Sequence, residues 1–137
     1  IINFTGEYKS DELINECLCG NVIKYKKILS ELYSSTINQI FLLRILNNKI
    51  QRLLNMKEVE KNYSNLDSLL SSTKPPIFWK EKPIVKLQMN IWKFDELKKI
   101  INEISETEIL CKKNPQISKI VFLNFFTKIC KMASNYS

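Results

Sequence analysis

The sequence lacks histidine entirely, and its 137 residues include only two glycines, two arginines and a single alanine. The absence of histidine excludes Ser-His and Cys-His nucleophilic pairs and most metal sites. Gly6 and Gly20 lie too far apart to form either of the common glycine-rich phosphate loops. We therefore expect a non-catalytic chain that binds no cofactor and no metal.

The remaining candidates for acid–base chemistry are three glutamates that are close together in the sequence, Glu103, Glu106 and Glu108. Paired carboxylates can transfer protons in an active site. Their spacing is also that of a solvated helix face, and this second interpretation is the one that we favour.

The four cysteines, Cys17, Cys19, Cys111 and Cys130, form no C-x-x-C pair. Their positions in predicted helices favour small buried side chains in a reducing cytoplasm over a metal site or a disulfide. No run of about 18 apolar residues is present, and the first residues do not have the pattern of a signal peptide. The predicted location is the cytoplasm, with no membrane contact.

The chain is basic, with a formal net charge of +7 that comes from 19 lysines and only two arginines. Such a charge attracts nucleic acids or acidic partners. The alternative is an ordinary lysine-coated, solvated surface. We favour the alternative because arginine, which is the better ligand for phosphates and guanine edges, is nearly absent.

The scarcity of glycine and proline, together with 45% hydrophobic residues, predicts long helices around a substantial core. We expect an all-α bundle of about six or seven helices over residues 9–137. Residues 1–8 alternate in polarity and contain Gly6, so they are interpreted as an extended lead-in from a preceding domain. Because the chain begins with Ile1 rather than Met, it is interpreted as a fragment of a longer protein.

Capping residues and charges predict where the helices begin and end. Ser10 is expected to cap the first helix and Gly20 to end it, and Asn21 is expected to cap the second. Thr36 and Gln39 match a reciprocal capping box. Five further helices are predicted over residues 36–61, 64–70 (capped by Ser64), 84–92, 94–113 and 116–136.

The helix over 36–61 is the longest periodic segment of the sequence. Its first half is apolar nearly all round, which predicts a central, buried helix. In its second half, Lys49 and Arg52 are predicted to be solvated or paired with Glu58 and Glu60.

Residues 74–92, KPPIFWKEKPIVKLQMNIW, are the stretch in which proline, aromatic and lysine residues are concentrated. Pro75 and Pro76 disfavour a helix, and Pro83 suits the first turn of the next one. The large apolar residues that follow have two interpretations, as anchors in the core or as a partner interface. The candidate partner interface consists of Phe78, Trp79, Ile84, Leu87, Ile91 and Trp92.

The same stretch contributes to a candidate basic surface, because lysines between aromatic residues can contact phosphates while the rings stack on bases. The spacing of these lysines is typical of a helix rather than of a nucleic-acid-binding sheet. From Lys112 to the end of the chain there is no acidic residue. The candidate basic surface consists of Lys82, Lys86, Lys119, Lys128 and Lys131.

The order of these segments resembles that of a known family. The resemblance begins with S-D-E-L-I-N-E-C-L-C-G-N from residue 10 and becomes specific at P-P-I-F-W-K, residues 75–80, followed by Pro83 and Trp92. The pattern E-x-x-x-L-C-K at residues 106–112, a break and a long final helix complete it. Over residues 7–132 the chain is similar to the C-terminal domain of the bacterial DNA polymerase III delta subunit, with lysine in place of the arginines of that family.

This resemblance implies a role in assembly. The delta subunit belongs to the clamp loader, which opens the ring-shaped sliding clamp and places it on primed DNA. Its C-terminal helical domain joins those of the other loader subunits, tau/gamma and delta-prime, in a pentameric collar. In the family, an N-terminal domain that is absent from this chain contacts the sliding clamp, and delta has no working ATP site. DNA contact would be indirect or weak.

A second hypothesis is kept open beside the collar domain. The chain would be a helical nucleic-acid-binding module that uses its basic C-terminal half directly. A steep loss of DNA affinity with increasing salt would favour this hypothesis, because phosphate contacts release counterions.

Overall fold

The computed structural model of the protein describes residues 4–33 and 38–136. In these residues the chain forms seven α-helices and no strand, which confirms the predicted all-α bundle. The helices are α1 Phe4–Cys19, α2 Val22–Tyr33, α3 Gln39–Val59, α4 Leu66–Ser72, α5 Lys82–Ile91, α6 Phe94–Lys113 and α7 Ser118–Tyr136. Two short 3₁₀ turns, Glu60–Asn62 and Pro115–Ile117, follow α3 and α6.

Helix α1 lies at the centre of the bundle, where it contacts α2, α3, α5 and α7. Its inner residues Leu13, Ile14, Cys17 and Leu18 are fully buried, as their helical spacing predicts. Helix α3 packs on α6, and α6 packs on α7, so the buried side chains of these helices form one hydrophobic core.

Gly20 ends α1 in the left-handed conformation, with φ of 76°. The N–H of Gly20 donates to the carbonyl of Cys17 at 3.2 Å, and the N–H of Asn21 donates to that of Glu16 at 3.1 Å. These two bonds satisfy the last carbonyls of α1 in the pattern of a Schellman motif. A Cβ atom at Gly20 would lie 2.5 Å from the backbone nitrogen of Ser134 on α7. Glycine is therefore required both by the turn and by the close approach of α7.

The predicted ends of α6 are confirmed at both termini. Asp95 and Glu96 lie in its first turn and Lys112 and Lys113 in its last, which matches the direction of the helix dipole. The Glu96 carboxylate also accepts a hydrogen bond from the backbone N–H of Lys93 at 3.0 Å. Local charge and capping therefore mark both ends of this helix.

The predicted extended lead-in over residues 1–8 is wrong where the structure describes it, because α1 begins at Phe4. Ser10 lies inside this helix and is buried, so it does not cap it. The helix packs on α2 and α7, and this packing outweighs the local preference of Gly6 for a helix end. The first three residues of the lead-in lie outside the described residues.

Two other predicted caps differ from those in the structure. Thr36 of the predicted capping box lies outside the described residues, and α3 is capped by Asn38, whose side chain accepts from the N–H of Phe41 at 3.1 Å. Helix α4 is capped by Asn65 instead of Ser64. In each case the shift is one or two residues along the chain, and a short polar side chain still satisfies the first N–H groups.

Helix α3 is buried on one side only, so the prediction that its first half forms a central, buried helix is wrong on the other side. Leu42, Leu43 and Leu46 are buried, whereas Phe41 is 40% exposed and Ile45 is half-buried. Because α1, α5 and α6 cover one side of α3, its other side is left at the surface.

The cysteines behave as the sequence predicts at three of four positions. Cys17, Cys111 and Cys130 are buried, Cys19 is half-buried, and none forms a disulfide. Burial raises the pKa of the Cys17 thiol well above its ordinary value and that of Cys19 to about 11. Both thiols therefore stay protonated and unreactive at neutral pH.

Candidate partner interface

The loop between α4 and α5 presents two adjacent aromatic side chains to solvent. Phe78 is 59% exposed and Trp79 is 68% exposed. Their rings are tilted at 55° to each other with centroids 6.0 Å apart, and the Lys80 ammonium lies 5.4 Å from the centre of the Trp79 ring. We call Phe78, Trp79 and Lys80 the aromatic loop. Large exposed aromatic side chains of this kind are enriched at protein interfaces.

The aromatic loop is anchored on both sides. Before it, Ile77 is buried in the hydrophobic core. After it, the N–H of Glu81 donates to the carbonyl of Phe78 at 2.8 Å and closes a turn. The Glu81 carboxylate accepts from Arg52 Nη2 at 2.7 Å and from Lys49 Nζ at 3.1 Å, both on α3. These contacts fix the backbone that carries the two exposed rings.

Glu81 is ionised in this environment. Burial raises the pKa of its carboxyl group, but the Arg52 hydrogen bond and the charge of Lys49 outweigh burial and hold the pKa below its ordinary value of 4.5. Lys49 is itself buried, and its Nζ also lies 2.9 Å from Oδ1 of Asp11 on α1. Asp11, Lys49, Arg52 and Glu81 together form a charge cluster that ties α1, α3 and the start of α5 to one another.

The sequence did not reveal this cluster. Lys49 was predicted to be solvated or paired with Glu58 or Glu60, but it is buried against Asp11 and Glu81. The partner of Arg52 is likewise Glu81. Neither partner lies at helical spacing from these cations, so no local pattern in the sequence could have identified them.

The candidate interface residues on α5 divide between the surface and the core. Leu87 is 47% exposed and Ile84 is half-buried. Ile91 and Trp92 are buried, and the Trp92 indole N–H donates to the carbonyl of Leu18 at 2.8 Å. Because the end of α5 docks on α1, the interpretation of Trp92 as a core anchor is correct, and the inclusion of Ile91 and Trp92 in a partner interface is wrong.

A buried amide that sequence reasoning missed helps α5 to dock. Gln88 is fully buried, and its Nε2 donates to the backbone carbonyl of Asn15 on α1 at 3.2 Å. Together with the indole hydrogen bond of Trp92, this contact fixes the orientation of α5. Because of this orientation, the side of α5 that carries Leu87 faces solvent.

The candidate basic surface is divided between two helices, with two of its lysines on α5 and three on α7. Both helices pack on α1, but α5 otherwise packs on α3 and α4, and α7 on α2 and α6. Lys86 Nζ lies 3.2 Å from Asp67, and Lys128 Nζ lies 3.3 Å from Glu103. Two of the five charges are therefore partly neutralised within the chain.

Neither a metal cluster nor a membrane helix was found where the structure describes the chain. Over residues 4–33 and 38–136, no three cysteine, aspartate or glutamate side chains are grouped so that they could hold a metal ion. Within the same ranges, no helix combines the length and the apolar character that a membrane span requires. Comparisons with protein-family models, curated proteins and solved structures found no match for this chain.

Proposed function

We propose that this chain is a subunit-assembly domain that joins other proteins through the aromatic loop. More specifically, it would be the collar domain of a clamp-loader delta subunit and would support loading of the sliding clamp onto primed DNA. In this role the chain is a non-catalytic scaffold. The observation that carries the proposal is the exposed pair Phe78 and Trp79 on an anchored backbone.

The anchoring of the loop makes it suitable for binding. Aromatic side chains supply a large contact area, and a few of them provide most of the binding energy in many interfaces. Because Ile77 and Glu81 already fix the backbone on either side, little conformational entropy remains to be lost when a partner binds. The exposed Leu87 on α5 adds apolar area for such a contact.

The identity of the partner rests on the resemblance. The segment P-P-I-F-W-K, which carries the most specific part of the resemblance, is also the segment that includes the exposed rings. A shared motif at a surface loop is expected if the motif is kept for contact with the same partners. The proposed partners are therefore the tau/gamma and delta-prime subunits of a clamp loader.

The alternative, a basic nucleic-acid-binding module, is supported by the net charge of +7 and by the lack of acidic residues from Lys112 onward. It is the weaker proposal, since Lys86 and Lys128 already face carboxylates of the same chain. Arginine, the residue best suited to phosphate, is present only at Arg44 and Arg52, and Arg52 is bound to Glu81.

The test is co-elution of the purified chain with the tau/gamma and delta-prime subunits of the same organism at moderate salt. The double variant Phe78→Ser/Trp79→Ser should keep its helical circular dichroism and lose co-elution. A matched control, Ile23→Ser/Ile120→Ser, also removes two large exposed apolar side chains, which are 85% and 62% exposed on α2 and α7. This control should co-elute like the wild type.

Failure of the wild-type chain to co-elute with either subunit would overturn the collar proposal. Equal losses in both double variants would also contradict it, because binding would then depend on general surface hydrophobicity. DNA binding, measured by fluorescence anisotropy over a range of salt concentrations, addresses the alternative. Tight binding that falls steeply with salt would support the nucleic-acid module.

A further inference from the structure

A cleft of about 700 Å³ lies between α3 and α4 and is bordered by residues 73–75. Its volume is within the range of small-molecule binding sites in proteins. Part of its wall is apolar and consists of the buried side chains of Met56 and Leu69 together with Ile45 and Tyr63. The aromatic loop is not part of this wall, so the cleft is a separate feature of the surface.

The lining of the cleft carries an excess of positive charge. Lys49 and Arg52 both line it, whereas Glu81, the carboxylate that bridges them, lies outside the lining. Lys74 also lines the cleft, together with the carboxylate of Asp11, so three positive charges stand against two negative ones when Glu81 is counted. The excess charge faces the cleft beside the apolar wall.

Asp11 is the more exposed of the two carboxylates that contact Lys49. It lines the same cleft, its carboxylate is 2.9 Å from Lys49 Nζ, and its side chain is 51% exposed, against 18% for Glu81. Lys49 is buried, but Glu81 stays 3.1 Å from its Nζ when Asp11 moves away, so displacing Asp11 does not leave the ammonium without a partner. Another anion can therefore replace Asp11 at Lys49 at little cost, while Glu81 stays in place.

We propose that the cleft binds a small amphiphilic carboxylate. The carboxylate group of the ligand takes the place of Asp11 beside Lys49, and its apolar body lies against Met56 and Leu69. Burial of the apolar body supplies binding energy in proportion to the area covered. The cleft favours an anion over a neutral molecule of the same shape, because Lys49, Arg52 and Lys74 carry more positive charge than Asp11 and Glu81 cancel.

Isothermal titration calorimetry with decanoate as the probe tests this site on the full chain, with 1-decanol as the neutral analogue. Decanoate should bind at one site, and the wild type should bind decanol more weakly. Asp11→Asn removes the competing carboxylate and should strengthen decanoate binding by up to about fivefold, which corresponds to a competing ion pair of about 1 kcal/mol. Binding of decanol should not change.

The matched control is Glu103→Gln, which removes the carboxylate of another lysine pair on α6 and α7, outside the cleft lining. This variant should bind decanoate as the wild type does. Lys49→Met, checked for folding by circular dichroism, should lose the preference for decanoate while still binding decanol.

The proposal would be overturned if decanoate binding were not saturable, or if the wild type bound decanoate and decanol equally well. It would also be overturned if Asp11→Asn and Glu103→Gln gave the same gain in affinity for decanoate. The proposal does not depend on the assembly function. The two can fail separately, since Asp11→Asn changes neither the aromatic loop nor the ion pairs of its anchor Glu81.

Discussion

Trp79 and Trp92 belong to the same lysine-rich stretch of sequence, but the fold places them in opposite environments. Trp92 is 1% exposed and donates a hydrogen bond to Leu18, whereas Trp79 is 68% exposed beside Phe78. Trp92 stabilises the fold, whereas Trp79 is held in place by its neighbours. A large aromatic side chain that is held in position but does not pack in the hydrophobic core remains available to contact a partner.

The difference arises from what lies next to each residue. Trp92 directly follows the last turn of α5, which Gln88 docks on α1, so its ring enters the core. Trp79 lies in a turn between the buried Ile77 and the ion-paired Glu81. Variants of the two tryptophans, and of residues that hold them in place, test this comparison.

The largest effect is expected from Trp92→Ala. Loss of a fully buried tryptophan should lower the free energy of unfolding by roughly 3–5 kcal/mol, because a large cavity replaces the ring. Urea denaturation followed by far-UV circular dichroism measures this change. Trp92→Phe keeps much of the volume and loses the hydrogen bond to Leu18, so it should cost less. A loss below about 1 kcal/mol for the alanine variant would mean that Trp92 is not a core anchor.

The next largest effect is expected from Gly20→Ala, just after the part of α1 that accepts the Trp92 hydrogen bond. Alanine adds strain at a φ of 76° and brings its Cβ against the backbone of Ser134. The expected loss is roughly 2–5 kcal/mol, from about 1–2 for the left-handed backbone and 1–3 for overpacking. The neighbouring Asn21→Ala, measured in the same way, removes only a helix cap and should cost about 1 kcal/mol.

Glu81→Gln should weaken the anchor of the aromatic loop. We expect a loss of roughly 1–3 kcal/mol at pH 7, since Arg52 and Lys49 lose their charged acceptor. The pKa of Glu81 is lower in the fold than its ordinary value of 4.5, so its contribution is complete above that pH and is lost as pH falls through the lower, folded value. The stability difference between wild type and variant should therefore be constant near neutral pH and shrink in acid.

The control for that experiment is Glu58→Gln, which changes an exposed glutamate on the same helix as Lys49. Its stability should stay within about 0.5 kcal/mol of the wild type. A Glu81→Gln difference that does not change between pH 7 and pH 3 would show that the charge of Glu81 does not stabilise the fold.

The smallest effect on stability is expected from Trp79→Ala. An exposed ring contributes little to folding, so the free energy of unfolding should change by no more than about 0.5 kcal/mol. If the aromatic loop is the interface, the same variant should weaken binding to the loader subunits by about 2 kcal/mol or more. Trp92→Phe provides the opposite pattern, with reduced stability and unchanged binding. A Trp79→Ala variant as unstable as Trp92→Ala would remove the distinction between the two residues.

The sequence was sufficient where local interactions decide the structure. The charges at both ends of α6 and the glycine that ends α1 predicted those boundaries correctly. It was insufficient where partners are distant in sequence. The burial of Ile91 and Trp92 cannot be predicted from their local sequence, because it depends on the docking of α5 against α1. The burial of Lys49 depends on two carboxylates from other elements, which helical spacing cannot identify.

The chain contains only two tryptophans, so their contrasting positions also give it two built-in optical reporters. Trp79, in water beside the Lys80 ammonium, should emit at longer wavelength and be readily quenched by iodide, which that positive charge attracts. Trp92, shielded in the core, should emit at shorter wavelength and escape quenching. A partner that covers the aromatic loop would protect Trp79 from quenching, whereas unfolding would expose Trp92 to it. Binding and denaturation can thus be distinguished in one cuvette without any label.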